Sequence, residues 1–185
     1  MALILDGTTG IVANNIAANT ITSTQIASGS RMALGNMPTG SVLQVVQTIS
    51  NTLAAFLRDE YINQLTTSIT PSSASSKILV CINIGGISSD AAADVGIRIY
   101  RDSTELAAGA TGSSTNPAFI PFMNQGSGDC FSSSFMYLDS PSTTSSISYK
   151  FRNAVNSGRT MYWNRRGSQG DYACSSSVIL MEIAA

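Results

Sequence analysis

The sequence predicts an all-β protein: an antiparallel, jelly-roll-like β-sandwich head behind an extended N-terminal stalk that intertwines with other copies of the chain. From residue 41 onward, short apolar or alternating segments recur between turns rich in Ser, Gly, Asn and Pro, which is typical of a sandwich or barrel. Ahead of them, isoleucine occupies every fifth position, at Ile11, Ile16, Ile21 and Ile26. The chain therefore divides into a stalk (1–31), a linker (32–40) and a head (41–185).

The stalk is predicted from this step of five residues, which suits neither regular secondary structure. On an α-helix each step turns the side chain about 140° past a full turn, and on a strand an odd step alternates between faces. A winding, extended chain can instead return one isoleucine per repeat to a shared axis. Because so short a repeat buries its apolar side chains only against neighbours, we expect the neighbours to be sister chains.

The head is predicted strand by strand from β-branched and alternating segments. An Asp102-Ser103 pair predicts a hairpin turn inside this series. The strands are expected at 41–47, 65–70, 77–84, 96–101, 104–107, 129–138, 145–152, 160–164 and 176–183.

The sequence makes further predictions for residues 53–64 and for the last strand of the head. Residues 53–64 fit either one helix or two short strands, because their apolar residues suit both patterns. The last segment alternates Ile179, Met181 and Ile183 with Leu180 and Glu182 up to the C-terminus. We expect this strand to lie centrally in its sheet and its truncation to be destructive.

Composition limits the function. Only 11% of the 185 residues are charged and the net charge is -1, so the chain has no basic footprint for nucleic acid. The longest apolar run, residues 78–82, is too short to insert into a membrane. Cys81, Cys130 and Cys174 are widely separated and odd in number, which does not indicate a disulfide framework, and they lack the paired spacing of a metal site. We expect them to be small core residues in a protein assembled in a reducing cytoplasm.

Catalysis is not expected. The chain contains no histidine, which removes histidine-based nucleophilic systems and most zinc sites. Most of its eleven acidic residues sit beside turns, so a catalytic carboxylate pair is not indicated. Asp90 and Asp94 lack the surrounding oxygen ligands of a calcium loop and are read as a solvated loop. The sequence thus predicts no enzyme, no cofactor and no bound metal.

One segment is a candidate for receptor contact. It consists of Tyr162, Trp163, Asn164, Arg165 and Arg166, and contains the only tryptophan beside two arginines. Aromatic and planar polar groups suit sugar or protein recognition. The alternative is that Tyr162 or Trp163 packs into the core, because strand alternation turns one of them inward. The Gly- and Ser-rich loop 109–116 is equally compatible with binding and with a passive connection.

These segments together resemble a protein family. The landmarks are GSVLQVVQ (40–47), SITPSSASSKILV (68–80), IYRD (99–102), TMYWNR (160–165) and SVILMEI (177–183). In this order they resemble the β-rich terminal domain of fibre-like virion proteins of tailed bacteriophages, especially cyanophages and marine phages. The isoleucine pentads are similar to the stalk repeats that precede such domains. The resemblance implies a homotrimer with an intertwined trimeric stalk, an N-terminal attachment end and a distal head that contacts the host.

The function expected from these observations is that of a homotrimeric tail fibre, assembled in the host cytoplasm and located in the virion. Its partners would be its own copies, a tail or capsid protein bound by the N-terminal segment, and a host surface polysaccharide or protein. A capsid-decorating head fibre or cement protein without receptor binding is the alternative, since the short stalk suits both locations. A glycan-degrading enzyme is the third and least favoured hypothesis.

Overall fold

The computed structural model describes residues 37–106, 120–124, 129–168, 170 and 172–185, and for 120–124 it describes the backbone alone. The stalk isoleucines, linker residues 32–36 and the loop 109–116 therefore lie outside the described residues. The described part is nearly all β, as predicted. Its strands are β1 (Val42–Ser50), β2 (Ala54–Phe56), β3 (Thr67–Ile69), β4 (Lys77–Ser89), β5 (Ala93–Arg101), β6 (Thr104–Leu106), β7 (Ile120–Asn124), β8 (Phe131–Asp139), β9 (Ile147–Asn153), β10 (Met161–Trp163) and β11 (Ser176–Ile183).

The first sheet is organised around the long strand β4. Its strand order is β1-β11-β4-β10-β2, and β8 also pairs with β4. All these pairings are antiparallel. The C-terminal strand β11 lies between β1 and β4, which confirms the expected central position of the last strand.

The second sheet is organised around β5 and β9. Its order is β3-β9-β5-β6, with β7 also paired to β5, and its pairings are again antiparallel. The predicted hairpin is confirmed: Arg101 pairs with Thr104 across a turn in which Asp102 has a φ of 52°. Asp is among the residues that tolerate this left-handed conformation.

The inner faces of the two sheets share one apolar core. On β4 the alternate residues Ile78, Val80 and Ile82 are at most 1% exposed. They belong to the same cluster of buried side chains as Ile97 and Phe151 of the second sheet. The strands alternate in this way because every second side chain points to the same face. The architecture is therefore sandwich-like.

A buried carboxylate joins the two sheets. Asp139, at the end of β8, accepts hydrogen bonds from Arg101 Nη1 on β5 at 2.8 and 2.6 Å. It also accepts one from the Tyr149 hydroxyl on β9 at 2.7 Å. Burial, followed by the hydrogen bond to Asp139, raises the pKa of Tyr149 far above its ordinary value, so the hydroxyl remains a donor.

A second buried carboxylate ties the first sheet to its neighbouring loop. Glu182 on β11 accepts hydrogen bonds from Gln44 Nε2 at 2.6 Å and from the Ser72 amide and hydroxyl, each at 2.7 Å. Burial raises the pKa of Glu182, but the hydrogen bonds from Ser72 and Gln44 outweigh it, and the net pKa is lowered. The carboxylate is therefore held in its charged form.

Residues 53–64, for which the sequence allowed either a helix or two short strands, do not form a helix. The segment contains β2 and an isolated bridge between Tyr61 and Arg152, and leads into a 3-10 turn at Asn63–Leu65. Asp59, with a φ of 65°, breaks any helical course, and the Asn153 amide donates to the Leu57 carbonyl oxygen at 2.7 Å. Tertiary contacts therefore determine the conformation of this segment.

The cysteines are not the buried core residues that the sequence suggested. Cys130 is exposed, and Cys81 and Cys174 are half-buried. The prediction failed because an apolar-rich strand has two faces. Cys81 alternates with the buried Val80 and Ile82 and so points away from the core.

Candidate functional site

The outer face of the first sheet is apolar across four adjacent strands, β1, β11, β4 and β8. Along these strands the inward side chains are buried or packed on the core, whereas most outward ones are half-buried or exposed. The strand register places the outward residues in three rows of four: Val45-Met181-Leu79-Leu138, Gln47-Ile179-Cys81-Met136 and Ile49-Ser177-Asn83-Ser134. We call their apolar members the apolar face: Val45, Ile49, Leu79, Cys81, Met136, Leu138, Ile179 and Met181.

The apolar face is well exposed to solvent in the single chain. Met136 is 68% exposed, Ile49 58%, Val45 57% and Leu138 50%. None of the residues in the three rows carries a charge. Between its outermost Cα positions the face spans roughly 14 Å by 14 Å, from the ordinary spacing of strands and residues. An exposed and continuous apolar patch of this kind is a candidate interaction surface.

The local sequence explains why this face forms. Residues 78–82 and 178–181 are uninterrupted apolar runs in β4 and β11. Continuous apolar runs are typical of strands covered on both sides, whereas a strand with one wet side alternates with polar residues. The second sheet covers the inner side of these strands. Among the residues that the structure describes, nothing covers the outer side.

An open depression of about 290 Å³ lies within the apolar face. Cys81, Met136 and Ile179 contribute to its lining, together with Phe135. Burial raises the pKa of Cys81, so its thiol stays neutral and adds no charge to the depression. The depression suits an apolar side chain of a partner molecule.

The second sheet presents a different outer surface. At this surface lies a group of residues that we call the tyrosine–arginine cluster. The ring of Tyr61 meets that of Tyr100 edge-on, with centroids 5.7 Å apart at 73°. The Arg152 guanidinium lies 5.3 Å from the centre of the Tyr61 ring. The cluster consists of Asp59, Tyr61, Arg98, Tyr100, Glu105 and Arg152.

Ion pairs connect the charged members of this cluster. Arg98 Nη1 lies 3.2 Å from Asp59 Oδ1, and Arg98 Nε lies 4.0 Å from Glu105 Oε1. The Tyr100 hydroxyl donates to Glu105 Oε2 at 2.9 Å. The hydrogen bond between Tyr100 and Arg152 raises the pKa of the Arg152 guanidinium. The charges of the cluster thus compensate one another.

An open depression of about 460 Å³ adjoins this cluster. Its lining includes Asp59, Glu60, Tyr61, Asn63 and Arg152. A tyrosine ring beside a planar guanidinium and carboxylates is the kind of lining that binds the faces and hydroxyl groups of sugars. Four of these residues lie within 59–63, and Arg152 joins them only through strand pairing, so no local motif indicated the complete lining.

The predicted receptor segment is divided by the structure. Tyr162 is half-buried under the Arg165 guanidinium, 4.8 Å from the ring centre, and exposed Arg166 lies 5.7 Å from the ring centre of Tyr172. Trp163 and Asn164 are fully buried. Neither can therefore contact a receptor at the surface. Strand alternation turned Trp163 inward, as the alternative interpretation of this segment stated.

Asn164 has a structural position instead. Its φ of 56° is left-handed, which Asn tolerates better than most residues. Its side-chain amide donates to the Ser50 carbonyl oxygen at 2.8 Å, and its Oδ1 accepts from the Ser176 hydroxyl at 2.5 Å. The residue closes the junction between β1, β10 and β11.

Neither a group of metal ligands nor a membrane-spanning helix is found in the part of the chain that the structure describes. There, no three His, Cys, Asp or Glu side chains come together as metal ligands would. Asp90 instead accepts a hydrogen bond from the Thr160 amide at 3.2 Å. None of the helical segments described is long and apolar enough to cross a bilayer.

No family model matches the chain, and no curated protein gives a significant match.

Proposed function

We propose that this chain is a structural virion protein, a homotrimeric bacteriophage tail fibre that docks by its N-terminus and presents its head for host attachment. The head is then a jelly-roll-like β-sandwich. The stalk is an intertwined trimeric segment in which Ile11, Ile16, Ile21 and Ile26 of the three copies meet. The sequence resemblance supports the trimer and the virion location, and the apolar face supports self-association.

The apolar face is the observation that carries this proposal. We expect the apolar face to be covered by the same face of other copies of the chain. Around a threefold axis like residues meet at the axis itself, so a charged residue there would face its own copies and repel them. The three rows contain no charge, and their outward residues are mainly Val, Ile, Leu and Met. Three heads held by one stalk can therefore bury these faces against one another.

The role is structural and adhesive, without catalysis. The chain has no histidine. Asp139 and Glu182, the buried carboxylates of the first sheet, are occupied by hydrogen bonds that hold the fold. A trimeric fibre needs only weak sites, because three linked heads gain avidity through effective concentration.

The second sheet supplies the host-facing surface in this arrangement. When the first sheets meet at the trimer axis, the outer faces of the second sheets point away from it. We assign contact with host polysaccharide to the depression beside the tyrosine–arginine cluster. Tyr162, Arg165 and Arg166 remain a candidate for additional contacts. A decorating fibre of the capsid, which the short stalk suits equally well, would share the assembly and lack this contact.

The assembly is tested by light scattering on the full chain. A particle of three 19.3 kDa chains is expected. Met136→Lys should weaken association at least tenfold, because it places a charge where the apolar faces meet. Ser157→Lys, in the exposed turn between β9 and β10, is the matched control and should leave the mass unchanged. A folded monomer for the unmodified chain at micromolar concentration would overturn the proposal.

Host attachment is tested separately with the assembled protein. Binding to host cells should fall with Tyr61→Ala and persist with Ser157→Lys. An assembled trimer that binds neither cells nor their surface polysaccharide would replace the tail-fibre role by capsid decoration. Release of sugar products from that polysaccharide would contradict the non-catalytic role.

A further inference from the structure

Two of the three cysteines lie together in the head. Cys130 immediately precedes β8 and Cys174 precedes β11, so they are well separated in the chain. Both flank β4, which pairs with each of those strands. A methyl group placed on Gly86 of β4 would lie 2.9 Å from Cys130 Sγ and 3.0 Å from Cys174 Sγ. The two sulfurs therefore occupy the space above the same glycine.

The backbone around the pair keeps this arrangement in place. The Cys174 amide donates to the Asn164 carbonyl oxygen, and the Asn164 amide donates to the Gly86 carbonyl oxygen, both at 2.8 Å. The Cys130 thiol donates to the Arg165 carbonyl oxygen at 3.8 Å, and it also lies within hydrogen-bonding reach of the Cys174 thiol. Gly86 is required here because any larger residue would displace one of the sulfurs.

We propose that Cys130 and Cys174 form an intramolecular disulfide across Gly86 when the protein meets a small disulfide oxidant such as oxidised glutathione. The exposed Cys130, as a thiolate, attacks one glutathione sulfur and releases the other glutathione as a thiol. Cys174 then displaces the bound glutathione from Cys130. The protein loses two protons and two electrons, and one glutathione disulfide becomes two glutathione molecules.

The state of the pair follows its surroundings. A reducing compartment keeps both thiols free, and an oxidising one closes the bond. Burial and the neighbouring Cys174 raise the pKa of Cys130, while Arg166 opposes them, so the reaction is best followed at mildly alkaline pH. The closed bond ties the start of β8 to the start of β11 and stabilises the head by restricting the unfolded chain. This proposal does not depend on the function proposed above.

The test is a thiol count on the full chain before and after incubation with oxidised glutathione under native conditions. The count in denaturant should fall from three to one, and the chain should become lighter by two hydrogen atoms. Peptide mapping should recover Cys130 joined to Cys174, and the melting temperature should rise by about 5–10 °C. A reductant should reverse all of these changes.

Single variants make the assignment specific. Cys81→Ser should still close the bond and retain no free thiol. Cys130→Ser and Cys174→Ser should each retain Cys81 and one further cysteine, free or as a glutathione adduct. Three persistent thiols in the unmodified chain, a bond that includes Cys81, or a bond between copies would overturn the proposal.

Discussion

The outer face of the first sheet and that of the second sheet arise from the same alternating strand pattern but present opposite chemistry. The strands of the first sheet contain only Lys77, Asp139 and Glu182 as charged residues, and both acids point inward. The described strands of the second sheet contain Asp94, Arg98, Arg101, Glu105, Lys150 and Arg152.

This contrast would allow one small domain to separate the two proposed tasks of self-association and host contact. A sheet face with three uncharged rows can meet copies of itself, whereas a face of compensated charges and aromatic rings offers polar and directional contacts. The first sheet places its acids inside, where hydrogen bonds satisfy them. Of the charged residues in these strands only Lys77 faces outward, and it lies beside the three uncharged rows rather than within them.

The largest expected effect comes from breaking the contact that joins the two sheets. Asp139→Ala should lower the free energy of unfolding by about 3–5 kcal/mol, because Arg101 would lose its buried partner. Urea unfolding at a fixed protein concentration measures this loss. Tyr149→Phe keeps the ion pair and should cost only about 1 kcal/mol. Equal losses in the two variants would show that the ion pair does not dominate this contact.

The second prediction compares the apolar face of the first sheet with the outer face of the second sheet. Met136→Lys combined with Leu138→Lys should weaken association about a hundredfold, or about 2.7 kcal/mol. The matched control is Ser68→Lys with Ser148→Lys, which adds the same charge to neighbouring strands of the second sheet. Sedimentation across a concentration series gives both dissociation constants. If the control weakens association as strongly, the faces do not differ in this role.

The third effect concerns the buried acid of the first sheet. The pKa of Glu182 is lower in the folded chain than its ordinary value of 4.5, so the unfolded chain binds more protons in this range. Its contribution to stability is therefore complete above the ordinary pKa and disappears as pH falls through the folded pKa. We expect Glu182→Gln to cost about 1–3 kcal/mol at neutral pH, and this difference to vanish in acid. A difference that is constant with pH would contradict this account of Glu182.

The smallest effect tests the tyrosine–arginine cluster. Tyr61→Leu removes the ring that contacts Tyr100 and Arg152 and should cost about 0.5–1.5 kcal/mol in thermal unfolding. Tyr61→Phe keeps the ring and should leave stability unchanged. A loss in Tyr61→Phe equal to that in Tyr61→Leu would assign the effect to the hydroxyl group.

Much of the fold could be predicted from alternation and turn residues. The last strand has the predicted bounds, because its alternating apolar residues begin directly after a run of serines and end at Ile183. β4 was predicted to end at residue 84 but continues to Ser89 through Gly85 and Gly86. Glycine ordinarily weakens a strand. Here it admits the Ser175 carbonyl oxygen and the two cysteine sulfurs, a requirement set by distant residues.

The candidate surfaces were less predictable than the strands. The two-sided apolar runs of β4 and β11 were visible in the sequence, but only the register shows that they join with Val45, Met136 and Leu138. The segment around Trp163 was a candidate for binding because of its residue types. Its alternation and the left-handed Asn164 place two of its five residues, Trp163 and Asn164, in the core.

The sequence by itself determined the β class, most strands, the hairpin at Asp102 and the low charge of the chain, because each follows from local periodicity or composition. The tertiary structure decided which outward residues share a face, which carboxylates are buried and which cysteines meet. Those properties depend on strand order and register, which bring together residues that no local pattern connects.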